Sequence, residues 1–225
     1  QAGLTPAQLR TARRSGDWSS PVRGLLVAVA APATWEQECA IAVLATGGVL
    51  SHRAAARLHR LDGFDEAPCE VTLPRGRTRA AIDVVMHRTA TLDPADITEV
   101  SGLPVTSIAR TLVDLGAVVD DDSVEQALDD ALRRGSSSRW ITTTLERLDR
   151  PGPSGPGALR RVLARPDRRG PLPDSAFERL VRRNCAELGL PEATRQHEVH
   201  DAVGRLVGRL DLAWPELKIG VEAHS

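Results

Sequence analysis

The sequence predicts an α+β protein, and three features carry that prediction. Several segments with helical spacing of apolar residues open on Ser or Thr and close on Gly. Two runs near the end alternate apolar and polar residues with the period of a strand. Between these parts, residues 150–157 read Arg-Pro-Gly-Pro-Ser-Gly-Pro-Gly, which cannot continue a helix. The expected divisions are 1–32, 33–150, a linker with a short helix at 151–173, and 174–225.

Composition narrows the classes. Of 225 residues, 41% are hydrophobic but only 3% aromatic, so a core must rest on Leu, Val, Ile and Ala. A net charge of -1 offers no general attraction to nucleic acid, and any such contact needs a local patch. Lys218 is the single lysine among 29 basic residues. Cys39, Cys69 and Cys185 form no CxxC pair, which supports neither a zinc ribbon nor a redox motif and suits free thiols in a reducing cytoplasm. No apolar run approaches the roughly 18 residues of a membrane span. No signal peptide is visible, so a cytoplasmic protein is expected. Gly3-Leu4-Thr5 reads as the middle of a domain, and Ser225 follows closely on a candidate acid; both ends read as cuts within a longer protein.

Taken in order, Thr5 caps a helix over 5–15, with Pro6 at its first position and Gly16 after its end. Its exposed face carries Arg10, Arg13 and Arg14, either as a solvated face or as a phosphate-binding cluster. A Ser/Pro turn and the apolar run Leu25 to Val29 follow. Thr34 and Gln37 form a capping box for a helix over 34–46, closed by Gly47-Gly48. Ser51 caps a helix over 52–60. Strands are expected at 69–73 and 82–88. Helices follow over 107–115, 123–133 and 138–148; Val124, Leu128, Ala131 and Leu132 stripe the middle one. Asp120, Asp121 and Asp122 precede that helix, where negative charge suits its dipole. His52 and His59 share a helix face and join His87 as candidate metal ligands, but no carboxylate sits beside them at suitable spacing, and they read as structural.

In the last segment Ser175 and Glu178 make a capping box for a helix over 175–188. A strand at 194–200, a turn at 201–205 and a strand at 206–214 follow. Leu210, Leu212 and Trp214 then alternate with Arg209, Asp211 and Ala213; Leu217, Ile219 and Val221 alternate with Lys218, Gly220 and Glu222. If Trp214 pairs with Leu217 across a Pro215-Glu216 turn, Asp211 faces Gly220 and Glu222 faces Arg209. Asp211 and Glu222 are then diagonal neighbours about 7–8 Å apart, within reach of one divalent ion. Gly220 would leave room for that ion. The alternative is a pair of solvent-facing acids.

Asp, ten residues, then Glu on adjacent strands resembles the core of the PD-(D/E)xK nucleases. With Ser175-Ala176-Phe177-Glu178-Arg179-Leu180 upstream, the run from Pro173 to Glu222 resembles domains related to very-short-patch-repair endonucleases, the first part of a restriction-endonuclease-like α/β core. The resemblance implies Mg²⁺ (or Mn²⁺) held by Asp211 and Glu222, Glu178 orienting a metal-bound water, and phosphodiester hydrolysis. The chain departs from the pattern two residues after the second acid, where His224 stands instead of Lys or Asp; Lys218 or His224 would neutralise charge or move a proton. The helix over 5–15 and the β-element after it resemble the last helix and wing of a winged helix-turn-helix domain. Leu50-Ser51-His52-Arg53-Ala54-Ala55-Ala56-Arg57-Leu58-His59, Val71-Thr72-Leu73-Pro74-Arg75-Gly76 and Gly102-Leu103-Pro104-Val105-Thr106-Ser107 together resemble the antitoxins of type IV abortive-infection toxin–antitoxin systems over roughly residues 1–150. DNA and a toxin protein are the partners this implies, and no membrane. The expected function is a DNA-associated, metal-dependent endonuclease; the alternative is a non-catalytic antitoxin or DNA-binding transcriptional regulator.

Overall fold

The computed structural model describes residues 5–76, 82–149, 155–165, 181, 184–185 and 187–222. It has an α+β fold divided into two compact units, 1–165 and 166–225.

The first unit opens with α1 (Pro6–Ser15). The Thr5 hydroxyl accepts from the Gln8 amide, the Gln8 side chain accepts from the Thr5 amide in return, and Gly16 closes the helix in a left-handed conformation at φ 80°. A two-stranded antiparallel ribbon follows, β1 (Trp18–Ser19) with β2 (Val27–Ala28).

The central sheet comprises β3 (Val49–Leu50), β4 (Glu70–Pro74), β5 (Val85–Thr89), β6 (Ile97–Val100) and β7 (Leu103–Thr106), in the order β5-β4-β3-β7-β6. It is mixed: β4 runs parallel to β5 and β3 parallel to β7, while the other neighbours are antiparallel. β4 and β5 match the strands expected at 69–73 and 82–88, whereas β3, β6 and β7 were not expected. The helix α2 (Trp35–Thr46) contributes Cys39 and Ala42 to a core with Leu50, Val71 and Val105 of the sheet. Thr34 caps it by accepting from the Gln37 amide.

A second core is helical. It joins α3 (His52–Leu58), α4 (Ile108–Leu115), α5 (Asp121–Arg133), α6 (Ser138–Leu148) and α7 (Gly155–Leu163) through Ala56, Leu112, Leu115, Leu128, Ile141 and Leu159. α4 is buried from Ala109 through Leu115. Residues 155–165, assigned on sequence to a linker, belong instead to this core: Ala158, Leu159 and Val162 are buried, and Arg165 pairs with Glu125 at 2.6 Å and Asp122 at 3.0 Å. The close approach of α7 to the end of α4 needs two glycines. A Cβ on Gly116 would stand 2.4 Å from the Gly155 carbonyl oxygen, and one on Gly155 would stand 2.4 Å from the Val113 carbonyl oxygen.

In the second unit β8 (Thr194–His200), β9 (Leu206–Trp214) and β10 (Ile219–Val221) form an antiparallel sheet with β9 in the middle. The turn expected at 201–205 is present: the Asp201 carboxylate accepts from the Val203 and Arg205 amides, both at 2.9 Å, with Gly204 at φ 83°. Leu212, Ala213 and Trp214 are buried, and the Trp214 indole donates to the Pro191 carbonyl at 2.6 Å. The helix predicted over 175–188 falls largely outside the described residues.

The α4–α7 contact is testable by overpacking. Gly116→Val should lower the unfolding free energy by about 1–3 kcal/mol. The shift should appear as a lower urea midpoint at unchanged m-value; an unmoved midpoint would mean that the helices do not approach so closely.

Candidate functional site

The residues singled out on sequence fall in separate places. Arg10 and Arg14 are exposed on α1, and Arg13 lies on the same helix. The β1–β2 ribbon comes directly after this helix in the chain. Glu178 and His224 lie outside the described residues.

Asp211 and Glu222 lie on the β9–β10 hairpin, with a register two residues away from the expected one. Trp214 pairs with Ile219, not Leu217. The reason is the turn: Pro215–Leu217 form one 3-10 turn, closed by Lys218 in a left-handed conformation at φ 53° and by its amide donating to the Pro215 carbonyl. The four residues 215–218 therefore sit outside the ladder. Continued one step past Val221↔Leu212, the register sets Glu222 across from Asp211. Arg209 faces Glu198 on β8, not Glu222. Lys218 stands in the turn, four residues from Glu222, up to about 13 Å at a strand's rise. The structure therefore does not set Lys218 beside the carboxylates. Nor does Gly220 leave an empty space: a Cβ there would stand 2.3 Å from Leu210 Cδ1, so the Leu210 side chain already fills it. On β8, Gln196 donates its side-chain amide to Asp211 Oδ1 at 3.1 Å and holds a φ of 48°, a conformation rare outside glycine. Asp211 is half-buried and Glu222 exposed.

A second constellation was expected only in part: His52 and His87 were candidate ligands on sequence, Glu70 was not. His52, Glu70 and His87 bring their ligating atoms within 4.8 Å of one another. Among the described residues, this is the one convergence of three such side chains. His59, grouped with these histidines on sequence, points elsewhere and contacts the Thr106 carbonyl at 2.7 Å. The sheet explains the convergence. Thr72 of β4 pairs with His87 of the parallel β5, so Glu70, Thr72 and His87 share one face, while Val71 faces the α2 core. His52 starts α3, just after β3, and its ring stacks on His87 with centroids 3.5 Å apart. A sequence signal existed: Glu70 is a carboxylate in a strand otherwise composed of Val, Thr, Leu and Pro.

Glu70 is fully buried and answered by Arg53. Its Oε1 accepts from the guanidinium at 2.6 and 3.1 Å, and its Oε2 accepts from the Arg53 amide at 2.8 Å. Burial alone would raise its pKa; His87 and Arg53 outweigh that and hold it at about 2. Burial, then the neighbouring His87, pushes His52 down to about 3, leaving a neutral imidazole. His87 Nε2 lies 3.6 Å from Glu70 Oε1, too far for a hydrogen bond.

His52 and His87 also line a cavity of about 280 Å³, together with Thr72, Arg110, Asp114 and Pro156. Arg110 is buried and donates to Asp114 Oδ1 at 2.9 Å, to the Thr91 carbonyl at 3.1 Å and to Asp96 Oδ2 at 3.3 Å. Arg147 closes on Asp96 from α6. Asp114 Oδ2 is buried with no hydrogen-bond partner among the described residues. Burial raises the Asp114 pKa from 3.8 to about 6 against the pull of Arg110.

No family model matches the chain, and no curated protein matches it. Among solved structures it is similar to the one described as "Crystal structure of RV2827C protein from Mycobacterium tuberculosis". The two are 19% identical, with a TM-score of 0.39, over 72% of this chain and 70% of that one. A likeness of that degree assigns neither fold nor function.

Asp114 gives a pH test. A carboxyl whose folded pKa lies above its unfolded value contributes stability that is present below the unfolded pKa of 3.8 and lost as pH rises through about 6. Asp114→Asn keeps an acceptor for Arg110 but cannot ionise. Relative to this variant, the wild type should lose up to about 1.4 kcal/mol of stability per pH unit between about pH 4 and 6. Denaturant titrations at several pH values measure the difference, and parallel pH profiles would contradict it.

Proposed function

We propose that the chain is a DNA-associated protein acting in the cytoplasm, and that its second unit hydrolyses phosphodiester bonds with Mg²⁺ or Mn²⁺. The hairpin register carries this reading. Its last pair is Val221↔Leu212; one further step would bring Glu222 across from Asp211, at the roughly 4.5–5.5 Å backbone spacing of a directly opposed pair. Two carboxylates at that spacing are hard oxygen donors suited to a hard dication. Bound there, Mg²⁺ would polarise the phosphodiester and acidify a coordinated water. The Gln196 amide, donating to Asp211 Oδ1, fixes the orientation of that carboxylate. Glu178 and His224 keep the roles that the nuclease resemblance implies, orienting the water and moving a proton.

One observation favours a second reading, that of a non-catalytic regulator or antitoxin with a toxin partner. α1 exposes Arg10 and Arg14 and is followed by the β1–β2 ribbon, as in a helix and wing that contact DNA. Such binding needs no metal, which separates the two readings.

Supercoiled DNA should be nicked in Mg²⁺ or Mn²⁺ and left intact in a chelator. Asp211→Ala or Glu222→Ala should abolish nicking without moving the unfolding transition. Metal-independent DNA binding with no nicking would favour the regulator. For α1, replacing Arg10, Arg13 and Arg14 with Ala should weaken DNA binding and flatten its dependence on log salt by about 0.9 per lost phosphate contact. An unchanged slope would remove α1 from the DNA interface.

A further inference from the structure

We propose that His52, Glu70 and His87 bind a first-row transition-metal dication of the zinc type, in exchange for the Arg53 guanidinium that now covers Glu70. This site lies in the first unit and is independent of the Asp211–Glu222 hairpin.

Four observations carry it. First, the donor set is two imidazoles and one carboxylate, the mixture that suits zinc, cobalt or nickel better than magnesium. The ligand atoms stand within 4.8 Å of one another, and His87 Nε2 is 3.6 Å from Glu70 Oε1. Bonds of 2.0–2.2 Å in a tetrahedral site need donor atoms roughly 3.3 Å apart. The two rings lie stacked at an interplanar angle of 20°, so their lone pairs run side by side, and metal entry requires the imidazoles to tilt out of the stack until both ring planes contain the ion.

Second, the ligands have the supporting contacts that a metal site requires. His52 Nδ1 is 2.9 Å from Ser51 Oγ, which accepts from Thr72 Oγ1 at 2.7 Å. An Nδ1–H directed at Ser51 leaves Nε2 with its lone pair, the tautomer of a bound histidine. The Arg53 amide grips Glu70 Oε2, which fixes the carboxylate and leaves Oε1 to the guanidinium or to a metal.

Third, the arrangement is costly as it stands. His87 Nε2 is buried without a hydrogen-bond partner among the described residues. His52 holds φ at 52°, left-handed backbone that a residue with a side chain adopts at a cost and that clusters at functional sites. A metal would satisfy the unpartnered nitrogen.

Fourth, the site is open on one side. His52 and His87 form part of the wall of the 280 Å³ cavity, so a fourth position is left for water or a small ligand, as in zinc sites that are not purely structural. The Arg53 side chain is 35% exposed and can turn into solvent as the metal enters.

The test uses the whole chain stripped with a chelator and titrated with Co²⁺. Visible d–d bands should appear at one equivalent and be displaced by Zn²⁺. Glu70→Gln and His87→Ala should each weaken Co²⁺ binding at least about tenfold. Arg53→Ala should bind more tightly, because the competing cation is gone. His87→Cys supplies a thiolate ligand and should add a sulfur-to-metal charge-transfer band, a gain that no folding defect can mimic. With excess Mg²⁺ present to occupy the hairpin carboxylates, Asp211→Ala and Glu222→Ala should leave the titration unchanged, which keeps this site distinct from the hairpin and from any failure of nuclease activity. Absence of d–d bands in the wild type, equal affinity in His87→Ala, or an Arg53→Ala chain that binds no more tightly would each overturn the proposal.

Discussion

A buried charge cluster centred on Arg110 and Asp96 holds the first unit together. Both side chains are almost wholly removed from water. Burying either alone would cost several kcal/mol, so each requires the other. Their partners come from different elements. Arg110 on α4 reaches the Thr91 carbonyl just beyond β5 and Asp114 one turn along its own helix; Asp96, just before β6, also takes Arg147 from α6. The sheet and the helical layer are thereby joined by directional bonds. Hydrophobic burial has no direction, and a core of Leu, Val and Ala with 3% aromatics across the chain offers little shape to specify a unique packing. Removing one member of such a cluster leaves the others charged and unanswered, typically about 3–5 kcal/mol.

The same sheet has one oily face and one polar face, and both are inside. β4 is buried from Glu70 through Leu73. Its alternation does not separate core from solvent, as it would in a half-exposed strand. It separates an apolar layer under α2 from a polar layer of Glu70, Thr72 and His87 under α3 and α4. The polar layer adjoins the Arg110 cluster through the shared cavity. Charge is thus concentrated along one internal seam, where Arg53 and Arg110 balance Glu70, Asp96 and Asp114.

Much of the helical framework was legible in the sequence, because caps are local. Thr5, Thr34 and Ser107 each accept from an amide three residues on and each marks its helix correctly; Asp120 does the same for α5, which therefore starts at Asp121, two residues before the expected Ser123. The short strands were not legible. β3 has two residues, too few to show a period, and β7 contains Pro104, which lowers any expectation of a strand. The candidate ligand group was legible only in its histidines, for a related reason. His52, Glu70 and His87 are 17 or 18 residues apart in sequence; the parallel pairing of β4 with β5 brings Glu70 to His87, and the antiparallel pairing of β3 with β4 brings His52 to both. Helix spacing around His52 and His59 offers no carboxylate, whereas Glu70 lies on a strand.

The hairpin shows why an incorrect register can still place residues on the right face. Side chains in a strand repeat every two residues, so a slip of one exchanges faces and a slip of two does not. The expected turn left two residues unpaired, and the observed one leaves four, 215–218. Both numbers are even, so a regular ladder continued to Glu222 would keep it on the face of Asp211. The same continuation would move the pair from diagonal to directly opposed. A turn of three residues would have paired Glu222 with Leu210 and sent its carboxylate to the opposite side. The 3-10 turn closed by Lys218 therefore sets the hairpin register, and the only lysine of the chain acts on the proposed pairing of the two acids through the turn and not through its charge.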